Sequence, residues 1–229
     1  MKTKWMIIPV MVMALGCSRE LETYTSYIEG EFTLYASSGE QETKTVLQQD
    51  GSISWSPSDC INVFYGNKSG KFTSTNTKVA ASAEFTGSLG AFTLDGSTEF
   101  VAVYPYSDSN SISGTTLSVT LPEEQTAVEG SFADDLFICV AKSKDYNLHF
   151  YNICGGVKFS LARDGIKKIV FKGKNGAHLA GLLTVNFASD GIPQVSRISN
   201  GKSAISLVAP NGGTFKKGSW YYLVVAPQL

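Results

Sequence analysis

The side chains able to do chemistry in this 229-residue chain are few: four cysteines, two histidines and a thin scatter of carboxylates. His149 stands in the apolar run Leu148-His149-Phe150-Tyr151 and His178 in a glycine-rich passage. Neither has a cysteine or carboxylate at the spacing of a metal site or a triad, so both read as structural or surface residues. Asp134-Asp135 is a carboxylate pair of the kind glycoside hydrolysis needs. Adjacent residues of a strand point to opposite faces, however, so the two cannot flank one bond; calcium binding or plain solvation fits them better. Gly173-x-x-Gly176 lacks the Lys-Ser/Thr and the helix of a phosphate loop. Trp55, Trp220 and the tyrosines could form a sugar-stacking platform, although core packing is the commoner use of aromatics at strand spacing. Cys139 and Cys154 sit in apolar strand-like runs, either as unpaired core thiols or as a Cys139–Cys154 bridge, and no cysteine pair has zinc spacing. These residues imply a non-catalytic protein with no cofactor and no metal centre.

The remaining cysteine, Cys17, belongs to a different chemistry. Residues 1–16 run from Met-Lys-Thr-Lys through the apolar stretch Trp5–Met13 to the small residues before Cys17. That is the anatomy of a secretory signal, and the apolar stretch is too short for a stable membrane span. Ala14-Leu15-Gly16-Cys17 resembles a bacterial lipobox, in which small residues admit the signal peptidase and the thiol takes a diacylglycerol. Ala14 departs mildly from it, since leucine is commoner there. Lipidation at Cys17 is therefore expected, with residues 17–26 as a charged tether. Several acyl chains on one residue hold a membrane firmly where a single chain does not.

The elements that must carry such a surface are β-strands. Thirteen Phe, ten Tyr and 22 Gly, with charged residues at only 17%, suit pleated, half-buried surfaces joined by tight turns. Removing Lys2 and Lys4 leaves 17 basic against 20 acidic residues, and only Arg19, Arg163 and Arg197 are arginines, which excludes a nucleic-acid binder. Strand cores are predicted at Glu31–Ala36, Ile61–Tyr65, Phe100–Tyr104, Leu117–Leu121, Leu136–Ala141, Leu148–Ile153 and Val157–Leu161. Four more follow at Ile166–Lys172, Leu182–Phe187, Ala204–Val208 and Trp220–Ala226. Turn signals recur roughly every 8–12 residues, the rhythm of a sandwich or barrel. Pro122–Val128 reads as a loop or a single turn. The polar Lys142–Asp145 divides the mature chain into expected domains 27–144 and 145–229. The last strand, Trp220–Ala226, is apolar on both faces yet lies three residues from Leu229. The expectation is that it completes a sheet or that further strands follow.

In order along the chain, several passages resemble the fimbrillin-like lipoproteins of Bacteroidetes, a family of pilus subunits and surface relatives. They are Trp55-Ser56-Pro57-Ser58-Asp59 before a strand, Phe100–Tyr104 ending in Pro105-Tyr106, and Leu121-Pro122-Glu123-Glu124-Gln125. Leu148–Asn152, Val157-Lys158-Phe159, Leu179-Ala180-Gly181 and Tyr221–Gln228 continue the series. The resemblance implies an all-β fold of tandem transthyretin-like Greek-key β-sandwich domains, the second incomplete at the C-terminus. It also implies a lipid anchor in the outer membrane at the cell surface, where the protein acts in adhesion as a fimbrial subunit, anchor or tip-like component. The implied partners are other fimbrial subunits, joined by strand addition, and host or bacterial surface ligands. Ser18–Glu22 is similar to the family's surface-export segment, and equally to a plain hydrophilic linker. Pilus-forming relatives are cut after an arginine; Gln41–Thr45 here offers Lys44 and no arginine, a departure from that pattern. The alternative expectation is a surface lipoprotein that captures glycans.

Overall fold

The computed structural model describes residues 26–38, 54–132 and 136–229. Cys17, the processing segment at 41–45 and Asp134-Asp135 lie outside the described residues. The fold is all-β: the described residues hold strands and two single 3-10 turns, with no α-helix. In chain order the strands of the first part are β1 (Ser26–Ile28), β2 (Glu31–Ser38), β3 (Cys60–Tyr65), β4 (Lys68–Ser74), β5 (Ser82–Ser88), β6 (Phe92–Leu94) and β7 (Phe100–Tyr104). The middle of the chain supplies β8 (Ser111–Ser113), β9 (Thr116–Leu121), β10 (Glu124–Thr126), β11 (Cys139–Ser143) and β12 (Asn147–Asn152). The last part holds β13 (Gly155–Ser160), β14 (Lys168–Lys172), β15 (Ala180–Phe187), β16 (Pro193–Lys202), β17 (Ala204–Val208) and β18 (Trp220–Val225).

Seven strands close on themselves in the order β11–β12–β2–β5–β4–β3–β7 and back to β11. All neighbours are antiparallel except β12 and β2, which run parallel. Alternation explains the closure: β5 turns Ala83, Phe85 and Gly87 inward and its intervening residues towards water. Gly87 has no substitute there, because a Cβ would stand 2.5 Å from the Lys71 carbonyl oxygen and 2.7 Å from the Phe72 ring. Trp55, fully buried, stands among Phe85, Tyr104 and Phe150, all edge-on at 5.0–5.5 Å between ring centres. Its indole N–H has no acceptor among the described residues. The ring thus has an aromatic centre whose packing outweighs one unmet hydrogen bond.

The other strands form smaller, open sheets: β16–β15–β9–β8, β10–β17–β14, β13–β18 and β1–β6. Their buried side chains run continuously into the core of the ring. β9 contributes Leu117, Val119 and Leu121, β15 contributes Leu183, and β17 contributes Ile205 and Leu207. Tyr221 of β18 and Phe215, in the loop before it, complete this part of the core with their rings edge-on at 4.8 Å.

The two strand systems interleave along the chain. β8, β9 and β10 join the open sheets before β11 and β12 return to the ring. The expected boundary at 144/145 therefore falls inside a hairpin of the ring, because β12 pairs with both β11 and β2. Its polar residues build the turn: Asp145 Oδ1 accepts from the Asn147 N–H at 2.7 Å and from the Ser143 hydroxyl at 3.1 Å. Further differences concern strands: β4 and β5 of the ring form where no strand is predicted. Pro122–Val128, expected as loop or turn, contains β10, which pairs in parallel with β17. β16, the longest strand, comes from the polar passage Pro193–Lys202, where no strand is predicted.

Candidate functional site

The open sheets concentrate unusual geometry along β18. Its residues pair with β13 from Ser160↔Trp220 to Gly155↔Val225. On the other side no strand adjoins it among the described residues. That edge is held in another way. Gln125, almost fully buried, reaches across from β10 and meets Val224 with both ends of its amide. Its Nε2 donates to the Val224 carbonyl at 2.7 Å, and its Oε1 accepts from the Val224 N–H at 2.9 Å. A primary amide carries the same donor and acceptor as a peptide unit, so one side chain stands in for a stretch of neighbouring strand. Further along, the Gly130 N–H donates to the Trp220 carbonyl at 2.8 Å, and the Ala226 N–H donates to the Leu179 carbonyl at 2.8 Å.

The segment around Gly130 is fixed by charge. Glu129 accepts from Lys216 and from the Ser219 hydroxyl. The Lys216 contact holds the Glu129 carboxyl below its ordinary range, and Glu129 in turn raises the Lys216 ammonium. Phe132 stacks on Phe137 at 4.5 Å and leans on Tyr222 at 5.1 Å. Gly156 permits that placement, since a Cβ there would come within 2.4 Å of the Phe132 ring. Trp220 is half-exposed, with Lys158 Nζ lying 4.6 Å from its ring centre and 5.4 Å from that of Tyr222. β13 likewise has β18 as its one strand neighbour among the described residues.

The residues singled out in the sequence are dispersed. His149 Nδ1 meets the Ser37 hydroxyl at 2.8 Å on the outside of the ring, while the nearby Asp145 carboxylate is engaged by its own turn. His178 packs over Gly201, where a Cβ would collide with the imidazole. Gly173 precedes a 3-10 turn and Gly176 is its last residue. Trp55 is core and Trp220 is surface, so the two do not share a platform. Cys60, Cys139 and Cys154 are free thiols, and no Cys139–Cys154 bridge is present. Burial pushes the Cys154 thiol up to about 12 and Cys139 higher still, which makes both poor nucleophiles. Gln125 is the functional candidate that sequence reasoning passed over. Its one signal is position: it alternates with the buried Ala127 in a passage otherwise polar.

Compared with known proteins, the chain has no significant match to a family model, a curated protein or a solved structure.

Proposed function

We propose that this chain is a lipid-anchored surface protein of the fimbrillin type, acting in adhesion as a fimbrial subunit, anchor or tip-like component. In this reading the ring and the open sheets are this chain's versions of the two transthyretin-like Greek-key domains, and Cys17 carries the acyl chains that hold it to the outer membrane. The observation that carries the reading is the outer edge of β18, where two hydrogen bonds from the Gln125 amide occupy the place of a strand. An incoming strand displaces the Gln125 side chain together with the Gly130 and Leu179 contacts at either end and replaces them with a full ladder, which is the chemistry of strand addition.

The test is expression in a Bacteroidetes host fed labelled palmitate, comparing the natural chain with Cys17→Ser on unheated and heated gels. The expected result is label that disappears in Cys17→Ser, together with a high-mass ladder that collapses on heating. Absence of label removes the anchor from the reading. Label with a single monomer band removes the fibre and leaves a stand-alone lipoprotein.

A further inference from the structure

A second surface lies on the ring, away from β18, and owes nothing to the fibre reading. β2 sends Leu34 and Ala36 into the core and Thr33, Tyr35 and Ser37 outward. Tyr35 is 51% exposed although it stands in the middle of a sheet, flanked in register by Glu84 of β5 and Asn147 of β12. Two clefts of about 430 Å³ each open on either side of it, and both are lined by Tyr35, Ala36 and Ser82. One continues to Asn147 and to the His149–Ser37 pair, the other to Asn76 and Glu84.

The geometry points to a binding site for a neutral oligosaccharide, laid across β2 with one sugar ring on Tyr35 and its neighbours in the two clefts. A tyrosine ring offers an apolar face to the C–H side of a sugar and a hydroxyl at its rim. The Asn147 amide and the Glu84 carboxylate beside Tyr35 offer donors and acceptors to vicinal hydroxyls, while the Ser37–His149 pair and the Asn76 amide, held by the Ser82 carbonyl at 3.0 Å, shape the two clefts. Both clefts are open rather than enclosed, which suits a chain laid across the sheet better than a compact ligand. Charge argues for a neutral ligand: Glu84 and Asp145 face one lysine, Lys78, and no arginine lines either cleft, so a polyanion finds no basic field.

The test is affinity electrophoresis of the mature chain in gels containing laminarin, xylan, galactomannan or pullulan, with heparin as the charged control. The expected result is retardation by at least one neutral polysaccharide. Tyr35→Ala weakens it at least tenfold, and Tyr35→Phe, which keeps the stacking face, changes it less than threefold. Retardation by none of the four, by heparin alone, or equally in Tyr35→Ala overturns the proposal. Should Tyr35→Ala fail to fold, Asn76→Ala and Asn147→Ala replace it, one in each cleft. Weakening in either supports the site, and no change in both overturns it.

Discussion

The ring and the open sheets meet the same requirement by different means. In the ring every strand has a neighbour on both sides, so main-chain groups are satisfied by closure and the interior is free to be aromatic. The open sheets leave edges, and side chains manage them: Gln125 on β18, and lysines at both ends of the edge strand β14, whose Val170 is half-exposed. Closure makes stability a matter of packing. Open edges make it a matter of individual polar contacts, and those are the contacts another chain could replace.

The largest effect expected from this contrast is in the ring. Trp55→Ala removes a fully buried indole from three edge-on partners and should destabilise the protein by about 3–5 kcal/mol, read by urea unfolding. A loss below about 1 kcal/mol would show that the aromatic centre does not hold the ring. On the open side, Gln125→Leu keeps the bulk but leaves the Val224 N–H and carbonyl unmet, at a cost of about 1–3 kcal/mol. Hydrogen exchange should quicken at Val224 and leave β3 and β7 protected; uniform quickening would erase the distinction between the regions.

The smallest effect is electrostatic. Asp95, in the turn before β7, accepts from the Thr98 N–H at 2.7 Å and the Ser97 N–H at 2.9 Å, which hold its carboxyl far below the ordinary carboxylate range. The folded pKa lies below the ordinary value of 3.8, so the contribution is complete above about pH 4 and drains away as pH falls through the folded pKa. Asp95→Asn should flatten the fall of Tm below about pH 4 slightly; an unchanged acid limb would remove Asp95 as a contributor.

The all-β class was legible because β7, β9, β12, β17 and β18 each announce themselves by apolar runs at strand length. β16 did not, since it lies exposed over much of its length and its residues are chosen for water rather than packing. β10 was hidden for a related reason: its one inward side chain is a glutamine, which no hydrophobic pattern detects. The division at 144/145 misled because a polar turn within one hairpin has the composition of a linker, and only pairing partners distinguish them. Of the candidate sites, Tyr35 was legible as a strand residue, but its exposure depends on which neighbours flank it.

The parallel pairing of β2 with β12 also sets an order of events. Ser37 and His149, bonded across that seam, are 112 residues apart in the chain. Until the second partner has been synthesised the ring is an unfinished sheet, and joining such distant segments is intrinsically slow. Closure around the first strands thus waits on the greater part of the polypeptide, which leaves their edges open for longer than a domain of local hairpins would.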